Sequence, residues 1–268
     1  MTVAYDPRLP EVIADPFLVY QRLRDDEPIH KSELLGGWVF SRYADVKAVL
    51  LDNRLSANRI SEFTSRLAPD GRAALADLLQ SLGMWQVFND PPTHTRMRNL
   101  LNNAFARRAV ELLRPSIVAI VDALLDRVAP QGHMDVIADF AYPLPATIIA
   151  TLLGAGLGDL DRIKRWSDDL GAFVGGAHAT PNKGLRAQAA MAEMCAYLRE
   201  SVADHRARPR DDLLSALLSA QERGDALSED EVVSTSVGLI FAGHETTKNV
   251  IGNGLIALLR HPGELARL

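Results

Sequence analysis

One cysteine, Cys195, stands among 268 residues, so the chain can build neither an internal disulfide framework nor a cysteine-cluster metal site. Nowhere do 18 apolar residues follow one another, and no membrane-spanning helix or membrane anchor is predicted. The opening residues, MTVAYDPRLPE, hold no basic segment leading into an apolar run, so no secretory leader is expected. Basic residues do not outnumber acidic ones. The net charge of −5 gives no reason to expect a nucleic-acid partner. No internal repeat appears, nor any Pro-, Gly- or Ser-rich linker, so a single domain over residues 1–268 in a cytoplasmic protein is the simplest expectation. What is present, 47% hydrophobic and 24% charged residues, is the composition of an ordinary globular core.

Hydrophobic periodicity predicts a mainly α chain with a small β-sheet near the N-terminus. Phe17–Asp26 has helical spacing, with Leu18 and Leu23 on one face. Ile29–Leu35 and Trp38–Ser41 flank Gly36-Gly37, a hairpin signal because glycine takes positive φ without steric cost. Arg42–Leu51 reads as a helix burying Val46, Val49 and Leu50. From Asp52 to Asn89 the pattern is irregular, and only Arg72–Leu82 carries a helical period. Asp90-Pro91-Pro92-Thr93 starts a helix over His94–Ala106, since a residue before proline disfavours the α region. Further helices are predicted over Ala109–Ala129, Tyr142–Leu153, Leu160–Gly171, Leu185–Arg206 and Asp211–Gln221, with a flexible break over Gly171–Gly184.

The most informative segment is Ser228–His261. Ser228 and Glu231 have capping-box spacing, and Pro262-Gly263 stops the helix. Some 30 residues at 1.5 Å each span about 45 Å, enough to cross a domain. Val232–Gly243 is nearly all apolar or small and is expected to be buried on all sides. Midway stands Ala242-Gly243-His244-Glu245-Thr246-Thr247. Thr235, Leu239, Ala242, Gly243, Thr246 and Val250 share one face, where two small residues would admit a flat, bulky group. The Thr246 hydroxyl can bond the Ala242 carbonyl, opening the helix locally beside a polar pocket. Glu245 lies on the flank. The plainer alternative is that the small residues ease helix packing and Glu245 pairs with a neighbouring cation.

A second motif leads the helix after Asp90. His94 and Arg98, four residues apart, stack on one face that Leu101 and Phe105 continue. Two such groups heading an apolar stripe call for an anionic partner, either a protein carboxylate or a bound anion.

Ala-Gly-x-Glu-Thr-Thr in a long central helix resembles the oxygen-binding motif of the cytochromes P-450, soluble bacterial type. Asp90-Pro91-Pro92-Thr93-His94-Thr95-Arg96-Met97-Arg98 is similar to that family's third major helix, and Trp38–Ser56 to its preceding strand and helix. The resemblance implies an incomplete cytochrome P-450 fold ending just after the central helix. It implies haem as cofactor, with His94 and Arg98 on a propionate and Ala242 and Gly243 over the distal face. Thr246 would hold dioxygen by hydrogen bonds and Glu245 would feed it protons. The activity implied is insertion of one oxygen atom of O2 into a small organic substrate, with electrons from a ferredoxin- or flavodoxin-type donor. Arg96, Arg107 and Arg108 either form part of that donor's docking patch or are solvated arginines on an exposed helix face. Substrate choice falls to Ser56–Phe88 and Trp166–Leu185, with Trp85, Phe88, Phe173 and Val174 as candidate pocket-liners.

The family's Phe-x-x-Gly-x-x-x-Cys-x-Gly loop, which supplies the thiolate on iron, has no counterpart here. Cys195 lacks that context and reads as a packed thiol, while His244 points away from the Ala242/Thr246 face. No metal ligand is assigned. The chain is therefore expected to be an N-terminal portion, catalytically incomplete and able to use haem only if the thiolate segment is supplied. The alternatives are a naturally half-length homologue acting as a binding or partner protein, or an unrelated helical protein.

Overall fold

The computed structural model describes residues 3–105, 111, 113–175, 182–221 and 227–268. Contacts divide the chain into two compact units, one built mainly on Met1–Ala57 and the other on Asn58–Val174 with Asn182–Leu268.

In the first unit, α1 (Pro10–Ala14) and α2 (Phe17–Asp26) precede strands β1 (Ile29–Ser32) and β2 (Gly37–Phe40), and α3 (Tyr43–Leu51) follows. The strands are antiparallel, with Ile29 opposite Phe40 and Ser32 opposite Gly37. The expected hairpin is present, but β1 ends at Ser32 rather than Leu35. Ser32 Oγ accepts from the Leu35 N–H at 3.2 Å and Gly36 takes φ +63°, so residues 33–36 make the turn. The expected burial of Leu50 fails, since it is 78% exposed, and on α2 Leu23 is buried while Leu18 is 68% exposed.

The second unit begins where the sequence reads as irregular, yet α4 (Arg59–Arg66), α5 (Pro69–Ala74) and α6 (Ala76–Gly83) lie there. Asn58 caps α4, its Oδ1 accepting from the Ser61 N–H at 3.1 Å. The helix expected over Arg72–Leu82 is split at Leu75, where φ falls to −120°. A short 3-10 turn at Gln86–Phe88 leads into α7 (Thr93–Ala104). Then come α8 (Arg114–Val128), α9 (Pro143–Leu152), α10 (Leu160–Val174), α11 (Lys183–Ala207), α12 (Leu213–Gln221), α13 (Glu229–Arg260) and the short α14 (Pro262–Leu265). The expected end of α7 at Ala106 and start of α8 at Ala109 lie outside the described residues, as does most of the expected break after Gly171.

The core of this unit gathers Leu82 of α6, Met97 of α7, Leu170 of α10, Met194 of α11 and Leu214 of α12 around the first half of α13. Where α9 ends, Gly154 takes φ +63° with the buried His205 against it. The His205 ring nitrogens lie 2.7 Å from the Ser201 carbonyl and 2.8 Å from Asp212 Oδ2, so its burial leaves neither unsatisfied.

α13 is the axis of the unit, and its start is the predicted one. Ser228 Oγ accepts from the Glu231 N–H at 3.2 Å, and Glu231 Oε2 accepts from the Ser228 N–H at 2.7 Å. Val232 to Val237 are buried, but burial on all sides ends there: Gly238, Leu239 and Phe241 are half-buried and Ala242 is exposed. Among the described residues no helix is long and apolar enough to cross a membrane.

Candidate functional site

A cavity of about 530 Å³ opens in the second unit beside α13. Thr235, Gly238, Leu239, Phe241 and Ala242 of α13 form one wall, and His94, Arg98 and Leu101 of α7 another. The segment from Trp85 to Phe88 and two further residues, Arg59 of α4 and Val174 of α10, complete it. The four- and three-residue spacings on α7 thus turn His94, Arg98 and Leu101 toward a common space. Gln86 Nε2 lies 3.3 Å from His94 Nε2. The charge of the lining is one-sided: among the described residues it contains His94, Arg98 and Arg59, and no Asp or Glu.

The two adjacent small residues face different surroundings. Ala242 lines the cavity. Gly243 does not: a Cβ there would meet Ile149 of α9 at 3.1 Å, so its bareness serves helix packing. Gly238, one turn before Ala242, is the second small residue on the cavity face, and the Trp85 indole lies against it, 3.3 Å from an ideal Cβ. Adjacent helical positions sit about 100° apart, which carries Gly243 off the face that Gly238 and Ala242 share.

Thr246 donates to the Ala242 carbonyl at 2.9 Å, and Thr247 to the Gly243 carbonyl at 3.2 Å. The predicted Thr246 bond is present, and α13 is helical straight through it. A carbonyl has two lone pairs and can accept a hydroxyl beside its helical N–H. Thr246 is exposed, and neither it nor Glu245 belongs to the cavity lining. Glu245 is half-buried, 2.7 Å from Lys248 Nζ and 3.4 Å from Asn249 Nδ2. Its immediate partner is therefore a neighbouring cation.

His244 points away from the cavity, as the helical period predicts. It is buried edge-on against Tyr142, ring centroids 5.7 Å apart, with Nδ1 2.6 Å from the Ile240 carbonyl. Burial holds its pKa below the ordinary imidazole value, outweighing that hydrogen bond and the nearby Glu245 carboxylate, which favour the charged form. Cys195 is a buried free thiol on α11, outside the cavity lining, its pKa pushed up by burial. Arg96 does not project as part of a free patch: its guanidinium pairs with Glu231 at the start of α13. Arg107 and Arg108 lie outside the described residues.

Of the candidate pocket-liners, Trp85, Phe88 and Val174 line the cavity. Phe173 instead packs edge-on against Phe63, centroids 5.6 Å apart. Gly238, Phe241, Arg59, Gln86 and Val87 were not singled out by sequence. Counting one turn back from Ala242 finds Gly238, whereas Arg59 comes from a helix that the sequence pattern does not reveal.

The lining suits a flat anionic group such as haem. Two donors from α7 face a small residue on α13, without an opposing carboxylate among the described lining residues and with otherwise largely apolar walls. The comparisons with known proteins identify the family. The cytochrome P450 family model matches residues 41–268. Cytochrome P450 107B1 of Saccharopolyspora erythraea is 41% identical over 254 residues, covering 93% of this chain and 60% of the relative. The cytochrome P450 monooxygenase PikC of Streptomyces venezuelae is 40% identical over 261 residues, 95% of this chain and 59% of the relative. The crystal structure of CalO2 superposes with a TM-score of 0.87 at 36% identity, covering 100% of this chain and 65% of that one. The chain thus spans about 60% of the length of the curated relatives it matches, and it belongs to the cytochrome P450 family, of which it is a partial-length member.

Proposed function

We propose that the complete protein is a haem-dependent monooxygenase that inserts one atom of dioxygen into a small organic substrate, and that this chain supplies the distal side of its pocket. The observation that carries the reading is the meeting of His94, Arg98 and Ala242 on one cavity whose lining, among the described residues, holds basic but no acidic side chains. His94 and Arg98 would hold the haem propionates, and the small Ala242 side chain would let the macrocycle approach α13. Haem supplies the activation of dioxygen and the transfer of one oxygen atom. The iron's thiolate would come from a segment outside residues 1–268, because Cys195 is buried away from the cavity.

Thr246 keeps its proton on the Ala242 carbonyl, which leaves the hydroxyl oxygen's lone pairs free to accept. By turning away from that carbonyl, Oγ1–H becomes a donor toward dioxygen. Glu245 would move protons to the same place, and to do so its carboxylate must leave Lys248 Nζ. Gly243 holds α13 close to α9 and so acts on the site through packing. Electrons would come from a ferredoxin- or flavodoxin-type donor in the cytoplasm. The test is the absorption spectrum of the reduced, carbon-monoxide-bound protein, made with the missing segment supplied. The thiolate-ligated haem signature is expected, and its absence from protein that binds haem refutes the assignment.

A further inference from the structure

Glu245 turns its two carboxylate oxygens to different neighbours. Oε2 lies 2.7 Å from Lys248 Nζ and 4.0 Å from His244 Nε2, while Oε1 lies 3.4 Å from Asn249 Nδ2. His244 packs against Tyr142 and is not part of the cavity lining, so Oε2 is drawn toward the side of α13 remote from the cavity. The helical period says which flank is which. At about 100° per residue, Lys248 sits about 60° from Glu245 on one side. Asn249 sits about 40°, Ala242 about 60° and Thr246 about 100° away on the other. Ala242 lines the cavity. Lys248 therefore holds the acid on the flank opposite to the one that Asn249, Ala242 and Thr246 share.

The two holds are unequal. The Lys248 contact joins full charges at 2.7 Å, whereas the Asn249 amide is neutral and 3.4 Å away. The Lys248 side chain is 19% exposed, which shields the pair in part from the water and salt that weaken surface ion pairs. Among the described residues Glu245 is the hydrogen-bonding partner of Lys248 Nζ, and Lys248 is not part of the cavity lining.

We propose that Lys248 is a positioning residue that tethers the Glu245 carboxylate off the cavity face, and that the carboxylate reaches the Thr246 side by exchanging Lys248 for Asn249. The inference rests on the monooxygenase reading, in which Glu245 moves protons. Lys248 acts only through Glu245. Breaking the ion pair lets the acid swing toward the Asn249 amide, which lies on the way to the Thr246 hydroxyl. Proton movement waits on that exchange, so a change at Lys248 alters its rate without altering what the cavity binds.

The first arm of the test needs neither haem nor turnover. In the 268-residue chain, acetic anhydride should acetylate Lys248 about threefold faster, relative to Lys31, once Glu245→Gln removes its charged partner. Peptide mapping by mass spectrometry gives the two rates, and an unchanged ratio overturns the tether. The second arm uses the complete protein. Lys248→Met should raise kcat about two- to fivefold at unchanged KM, and Lys248→Arg, which keeps the charge, should bring it back down. Lys248→Met should bring no gain once Glu245→Gln is present. A merely structural lysine gives a lower melting temperature and no gain in kcat. That result overturns the proposal, as does a gain that persists without the carboxylate. The two readings fail in different ways. A missing thiolate signature in the carbon-monoxide spectrum removes the reaction and the tether's part in it, whereas a normal signature with unchanged kcat in Lys248→Met removes the tether alone.

Discussion

The guanidinium of Arg96 on α7 grips the same Glu231 carboxylate that closes the capping box with the Ser228 N–H at the start of α13. One acid therefore joins the two helices that bring His94, Arg98 and Ala242 to the cavity. Burial alone would raise the Glu231 pKa, but Arg96 and the Ser228 N–H outweigh it and hold the carboxyl below its usual range. Glu231→Ala removes a cap and an ion pair together and should cost about 1–2 kcal/mol of stability. Glu231→Gln keeps an acceptor for Ser228 and should cost less. Arg96→Ala leaves the cap intact, and at its partial exposure should cost no more than about 1 kcal/mol. Urea unfolding midpoints give the order, and equal losses for all three would show that the shared carboxylate does not link the helices.

Thr246→Ala separates a chemical role from a structural one. Among the described residues the hydroxyl bonds only its own helix, and alanine has the higher helix propensity, so stability should stay constant or rise by up to about 0.7 kcal/mol. In the complete enzyme the same change should let electron consumption continue while product per electron falls several-fold. Normal coupling would remove Thr246 from the proton path.

How much of this was legible in the sequence depended on whether a signal was local. The limits of α13 follow from Ser228, Glu231 and Pro262, whose effects act within a turn, and the Thr246 bond follows from four-residue spacing. The packing of Gly243 was not legible, because composition marks it as small but only the position of Ile149 shows what its missing side chain faces. The helix at Arg59–Arg66 escaped because its eight residues include few apolar ones, and its start rests on the single cap at Asn58. Exposure of Leu18 and Leu50 was likewise invisible, since periodicity identifies an apolar face without saying whether anything covers it.

His244 should make stability depend on pH. Its folded-state pKa is depressed by burial, with Lys248 adding to the effect and Glu245 and Asp168 opposing it. Below the ordinary value of about 6.5 the unfolded chain binds a proton that the folded one resists, so stability is full above that pH and falls beneath it. The loss can reach about 1.4 kcal/mol per pH unit. His244→Leu should flatten the profile between about pH 5 and 7 relative to the unaltered chain. An unchanged difference curve would mean that the imidazole charges freely in the folded state.

Ala242 and Gly243 are adjacent, yet the structure gives them opposite consequences when enlarged. Ala242 is exposed on the cavity, so Ala242→Leu should leave folding almost unaffected while occluding the space assigned to haem. Gly243 faces Ile149 with no room for a branched side chain, so Gly243→Val should cost about 1–3 kcal/mol by forcing α9 and α13 apart. Measured on the complete protein, haem content should drop for Ala242→Leu at unchanged melting temperature. For Gly243→Val the melting temperature should drop first, with haem content following only as protein unfolds. If instead Gly243→Val expelled haem from a fully stable protein, the glycine would belong on the cofactor's side of α13 and the packing role given to it here would be wrong.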